Sequence, residues 1–220
     1  MTSNVLVATP MRDSLTAVLR DRCDAIYEAL TYPHKERALY VNDTRPVPGS
    51  GKYAANAIVR NALIDRYLTD EHTHVLWIDA DLVRVPANLI ERLLDVSDSA
   101  VVAPLPYVER IDPSRGPSVE NGGWFYDTGA FVWRGQTVPC QWDALFLHQP
   151  GDVLELDSVG TCYLIPADVY RQGARYSTVG GAVEHVALMA EARTLGYRVL
   201  ALRALIIEHA YLPKYGEAWH

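Results

Sequence analysis

The residues best equipped for chemistry are Asp79 and Asp81. They flank Ala80 directly after the apolar run Val75-Leu76-Trp77-Ile78. A carboxylate pair in that place leaves the core as the strand ends and faces the space beyond it. Two carboxylates at this spacing suit a hard divalent cation such as Mn²⁺ or Mg²⁺, which shares its remaining coordination with diphosphate oxygens. A fixed cation acts most strongly where negative charge grows, as on a departing diphosphate. The competing role is a helix cap beside a solvated acid, and the apolar strand in front of the pair weighs against it.

His209 follows a second apolar run, Leu205-Ile206-Ile207. A neutral imidazole at a strand end can complete a metal shell, although a lone histidine more often serves as a core or surface residue. Arg60, beside Asn61 in a helical stretch, can reach a diphosphate or orient Asp79. Arg12, at the end of the first strand, can meet a phosphate or a base. Each of these arginines has the alternative of a solvated charge. Asp157 and Glu184 are candidate acids near an acceptor hydroxyl. Against that role, Asp157 can be a simple turn residue, and Glu184 can serve the dipole of the helix it opens. Trp124, Phe125, Tyr126 and Trp133 can stack on a flat ligand face or close the core. Gly49-Ser50-Gly51-Lys52 lacks the full spacing of a phosphate loop and follows no clear strand, so it reads as a loop.

Elements that would position these residues follow from periodicity. Val5–Ala8, Ala38–Val41, His74–Ile78 and Ala100–Ala103 read as strands. Between them, Leu15–Leu30 and Ala55–Leu63 carry helical spacing, and Pro86 suits the first turn of a third helix reaching Leu94. Alternating strands and helices predict an α/β parallel sheet with helices on both faces and ligands beyond the strands' carboxyl ends. The stretch from Leu105 to Gln149 is rich in Pro, Gly and aromatics and predicts a small mixed or antiparallel addition around a Gly135 turn. Strands return at Val153–Leu156 and Cys162–Ile165. A short helix then runs from Pro166 to Gly173, and a longer one from Glu184 is closed by Gly196. Two final strands follow, Arg198–Leu202 and Ala204–Ile207.

A chain of 220 residues that is 49% hydrophobic and 21% charged supports one globular domain, divided here into a nucleotide-binding half (1–104) and an acceptor-binding half (105–220). The net charge of −7 argues against a broad nucleic-acid surface, which needs clustered cations. Three cysteines without paired spacing argue for reduced thiols and against a cysteine zinc site. No apolar run is long enough for a membrane span, and the first residues read as a buried strand, not a signal peptide. The expected location is the cytoplasm.

Taken in order, several short motifs resemble the fungal mannan-polymerase (Anp-type) mannosyltransferases. They are Thr9-Pro10-Met11-Arg12, Val59-Arg60-Asn61-Ala62-Leu63, Val75 to Asp81, Asp157-Ser158-Val159-Gly160-Thr161, Glu184 to Ala190, and Gly196-Tyr197-Arg198-Val199 on to His209. The resemblance implies a GT-A-like fold and transfer of a sugar, with retention, from a nucleoside diphosphate donor (a GDP- or UDP-sugar). It implies a metal site at Asp79 and Asp81 with a distal ligand at His209. Thr9, Pro10, Arg12, Asn42 and Asp43 would hold the nucleotide, together with Arg60, Asp79 and Ala80. Asp157 and Glu184 would contact the acceptor or the donor sugar. Fungal members use GDP-mannose behind a Golgi anchor. A chain without such an anchor points to a bacterial or phage relative, acting on a glycan or on a hydroxymethylated DNA base. His185 stands where many GT-A enzymes carry a catalytic aspartate, which argues against an inverting mechanism. Two other classes stay open: a nucleotidyltransferase, disfavoured by Pro10-Met11-Arg12 where a Gly-rich basic loop is needed, and a non-catalytic nucleotide-sugar or carbohydrate-binding module, disfavoured by the intact acids.

Overall fold

A computed structural model describes residues 2–12, 17–42, 52–115, 122–137, 151–178 and 183–211. Its first half alternates β1 (Val5–Arg12), α1 (Ala17–Ala29), β2 (Lys35–Asn42), α2 (Lys52–Tyr67) and β3 (His74–Ile78). Next come β4 (Leu82–Arg84), α3 (Leu89–Leu94) and β5 (Ala100–Val108). The second half holds a hairpin, β6 (Val132–Trp133) and β7 (Gln136–Thr137), then β8 (Val153–Glu155) and β9 (Cys162–Pro166). It ends with α4 (Ala167–Arg171), α5 (Glu184–Thr194) and β10 (Arg198–His209).

The main sheet has the order β2-β1-β3-β9-β5-β10-β4, with β8 also on β10. β1 lies parallel to β2 and β3, and β10 lies parallel to β5. The central strands read as unbroken apolar runs because both of their faces are covered. On β3, Val75 and Trp77 enter one core with Leu63 of α2 and Leu188 of α5. Leu76 and Ile78 enter the other core with Ile26 of α1 and Leu89 of α3. The expected two-faced α/β sheet is therefore present.

It is not parallel throughout. β9 runs against both β3 and β5, and β4 and β8 run against β10. The reason at β9 is local: the carbonyl of Thr161 accepts the Asp79 N–H, so β9 starts where β3 ends and must run back. Three further differences from the sequence reading have physical causes. β1 continues through Thr9-Pro10 to Arg12, since beyond Ala8 it pairs with β2 alone and a missing N–H is tolerated. The two final strands are one, with an irregularity between Leu202 and Ile206 absorbing the break. Helix α3 starts at Leu89, and the carbonyl of Pro86 accepts the Leu89 N–H just ahead of it.

Candidate functional site

The carboxyl ends of β3 and β10 meet in space. Asp79-Ala80-Asp81-Leu82 forms a turn closed by the Leu82 N–H on the Asp79 carbonyl, and the Asp81 carbonyl accepts the Ala210 N–H. That bond ties the acidic turn to the residue after His209. Ala80 points away and packs with Met11 and Cys23, so the two aspartates are left on the open side.

His209 is 2% exposed, and its Nε2 lies 3.0 Å from Asp81 Oδ1. Its Nδ1 lies 3.0 Å from the Ala210 carbonyl oxygen, which can only accept, so Nδ1 carries the proton. In the neutral ring Nε2 then presents a lone pair to a carboxylate oxygen, and Nε2 has no hydrogen-bond partner in line. Two acceptors this close need a proton or a cation between them. Burial disfavours the imidazolium, but Asp81 outweighs it and raises the His209 pKa. Tyr126 stacks on the ring at 3.5 Å between centroids and 15° between planes, which fixes its orientation.

Arg60 stands behind the other aspartate. It is 3% exposed, and its Nη2 donates to Asp79 Oδ1 at 2.6 Å, while Nε lies 3.7 Å from Glu184 Oε1. The guanidinium sits over the rings of Trp77 and Tyr176 at 4.9 and 5.6 Å. Burial raises the pKa of Asp79, and Arg60 opposes that rise. Glu184 behaves likewise: burial pushes it up and Arg60 pulls it down. Nε and Nη1 of Arg60 and Oε2 of Glu184 are buried without hydrogen-bond partners, a costly state unless something polar comes to them.

One acid was not anticipated. Asp127 accepts a 2.6 Å hydrogen bond from the Thr161 hydroxyl, and it interacts electrostatically with Asp79, His209 and Glu184. A Cβ at Gly160 would overlap the Asp127 carboxylate and the Ala130 methyl, so glycine leaves this carboxylate its place. Burial pushes Asp127 up to about 6, and the Thr161 bond only partly offsets this. A raised folded pKa means that the folded chain holds this proton more tightly than the unfolded one does. Stability from this group is therefore full below about pH 4 and falls as pH rises through about 6. Without added divalent cation, Asp127→Asn is expected to raise stability by about 1–2 kcal/mol at pH 7 and to change little near pH 4. Urea denaturation at the two pH values checks this, and an equal difference at both would contradict it.

Of the residues expected at a site, Asp79, Asp81, His209, Arg60 and Glu184 come together. Thr9 is buried in β1 and Pro10 pairs with Tyr40 of β2. The side chains of Arg12 and Asn42, and the whole of Asp43, lie outside the described residues. Asp157 stands apart from them: its carboxylate pairs with Arg193 and accepts the Gly135 N–H, and neither partner belongs to the cluster. Phe125 is fully buried in the core with Phe131, whereas Tyr126 is 38% exposed beside the cluster. His185 joins a buried network with Tyr163 and Tyr176, and burial drives its pKa well down.

Among the described residues, no group of three or more His, Cys, Asp or Glu side chains is arranged to hold a metal ion by itself. Mg²⁺-type sites, however, commonly use one or two carboxylates and take the rest of their shell from substrate phosphates and water. His209 Nε2 set against Asp81, with the other ring N–H held by a backbone carbonyl, is the donor arrangement expected of a metal-ligating histidine. The residues present therefore fit a divalent cation that arrives with a diphosphate.

Sheet order and carboxylates at strand ends define a GT-A-like α/β fold. Among solved structures the chain is similar to TarS residues 1–349 of S. aureus, at a TM-score of 0.55 and 12% identity over 96% of this chain and 61% of that one. The Anp1 family model matches residues 52–138, which include Arg60, Asp79, Asp81 and Asp127. Mannan polymerase complex subunit mnn9 of Schizosaccharomyces pombe is 25% identical over 179 residues, 72% of this chain and 51% of that protein. The chain thus spans about half the length of this relative. These findings agree with the mannan-polymerase resemblance carried by the residues. No helix among the described residues is long and apolar enough to cross a membrane.

Proposed function

We propose that the chain is a glycosyltransferase that moves a sugar, with retention, from a nucleoside diphosphate donor to an acceptor hydroxyl, using Mn²⁺ or Mg²⁺. The observation that carries this reading is the short contact of His209 Nε2 with Asp81 Oδ1, a place for either a proton or a cation, beside Asp79 in a GT-A-like sheet. When bound, the cation would be held by Asp79, Asp81 and His209, and it would neutralise charge on the leaving diphosphate.

The protein's own groups do the rest. Arg60 favours the ionised form of Asp79 against burial and orients it, and it is itself held by Glu184 and two aromatic rings. Tyr126 and the Ala210 carbonyl fix the imidazole in plane and in tautomer. Asp127 interacts with this cluster, and burial pushes its pKa up to about 6, so it can exchange a proton with an acceptor hydroxyl. In a retaining reaction the departing phosphate can itself take that proton. The donor is a GDP- or UDP-sugar. The name of the mannan polymerase relative favours a glycan acceptor, and the net charge of −7 weighs against a DNA acceptor.

Donor hydrolysis tests the reading without knowledge of the acceptor. Incubation with a panel of nucleotide sugars and Mn²⁺ is expected to release free sugar slowly from one of them, and chelation is expected to stop it. Release that continues in excess chelator would sink the metal-dependent mechanism. No release from any donor would count against the enzyme.

A further inference from the structure

A cleft of about 430 Å³ opens between the β6–β7 hairpin, β8 and the α5–β10 turn. Its walls include Trp133, Arg134, Asp157, Arg193, Tyr197 and Arg198, none of which belongs to the acidic cluster. Arg198 opens β10 and His209 closes it, 12 residues along one strand. At ~3.3 Å per residue, with an irregularity on the way, this sets the cleft floor on the order of 30 Å from His209, while the cleft wall at Arg193 stands only nine helical residues from Glu184, about 14 Å at ~1.5 Å per residue.

The hairpin that forms one wall is strained. Arg134 and Gly135 have φ of 51° and 75°, the pair of positive angles that a two-residue turn needs for tightly twisted strands. A non-glycine residue in that conformation costs on the order of 1 kcal/mol. Specific contacts hold it there. The Gly135 N–H donates to Asp157 Oδ2 at 2.7 Å, Arg193 Nη1 meets Asp157 Oδ1 at 2.9 Å, and the Arg134 guanidinium lies 4.6 Å from the Trp133 ring centroid. Across the cleft Arg198 pairs with Glu155 at 3.0 Å.

The result is a concave surface with two aromatic rings, Trp133 and Tyr197, and two guanidinium–carboxylate pairs. Arg193 and Arg198 are each paired with a carboxylate, and Arg134 lies over the Trp133 ring as a third guanidinium; the paired groups and rings suit a polar, uncharged ligand, and a sulfated ligand reads out the charge that Arg134 adds. Planar groups in fixed geometry bond well to adjacent hydroxyls, and flat rings take the C–H faces of sugars. The segment 157–161 leads from here to the reaction centre: Asp157 lines the cleft, and Thr161 hydrogen-bonds Asp127.

We infer that this cleft is a second carbohydrate subsite, which holds hexose units of a long acceptor at a distance from the transfer point. The inference rests on the glycosyltransferase reading for its biological purpose, but not for its binding test. The whole chain is titrated calorimetrically, without donor, with neutral α-linked mannose oligosaccharides of increasing length. Affinity is expected to rise with length. Trp133→Ala and Tyr197→Ala should each weaken the longest oligosaccharide about tenfold, with donor hydrolysis unchanged, and Trp133→Phe should restore most of the binding. The subsite is overturned if no oligosaccharide binds, if both alanine variants bind like the parent, or if a sulfated oligosaccharide of equal length binds far more tightly. If donor hydrolysis is absent but ring-dependent binding persists, the proposed activity fails and the subsite stands.

Discussion

Asp81→Ala is expected to lower sugar transfer by about 10²–10³-fold while the protein stays folded. Asp81 is only half-buried, and it closes the short contact with His209 Nε2. On the proposed mechanism its loss removes an oxygen ligand of the cation that would meet the diphosphate, an effect of the size seen when a fixed electrostatic group is deleted from an active centre. Asp79→Ala should cost as much activity, but it is a less clean experiment. It also strips Arg60 of its nearest carboxylate and leaves that cation to Glu184 alone. Single-turnover rates, read beside the far-UV circular dichroism of each variant, separate loss of chemistry from loss of fold. An Asp81→Ala protein that turns over normally would remove this residue from the mechanism.

Arg60→Ala should produce the largest loss of stability, about 3 kcal/mol at pH 7. Deleting one member of a buried ion pair leaves its partner's charge uncompensated, which costs on the order of 3–5 kcal/mol. The lower end applies here because the Asp79 side chain keeps 24% exposure. Two carboxylates lose their counterion together, and burial already raises both of their pKa values. In the variant they should hold protons more tightly still. The loss should therefore shrink as pH falls and the carboxylates protonate. Denaturant titrations at pH 7 and pH 5 test both the magnitude and the sign. A loss below about 1 kcal/mol, or one that grows with acidity, would contradict the arrangement.

Much of the fold was legible because its central strands are covered on both faces. Val75–Ile78 and Cys162–Ile165 declare themselves as short apolar runs, and the acidic pair is visible as the point where one run stops. β4 was not legible. Three residues carry no period, and Leu82–Arg84 become a strand only through β10, far away in sequence. The antiparallel insertion of β9 was equally hidden, since a run of buried residues carries no direction. Asp127 escaped notice for a related reason. It sits in an aromatic, glycine-rich stretch without periodicity, and Thr161 and Gly160 give it its environment. The available signal was a lone carboxylate directly behind Trp124-Phe125-Tyr126. Asp157 is placed differently from Asp79. It follows a strand as Asp79 does, but β8 lies beyond β10 and ends near Arg193. Glu184 opens a helix as expected, yet it is 1% exposed and turned toward Arg60, so favouring the helix dipole is not its whole role.

The most direct test is the binding of GDP and UDP to the parent protein and to Asp81→Ala, each with Mn²⁺ and with excess chelator. The parent should bind one of the two nucleotides at least about tenfold more tightly with Mn²⁺ than with chelator, and Asp81→Ala should lose that difference. Equal affinity under all four conditions would show that neither Asp81 nor a cation meets the diphosphate.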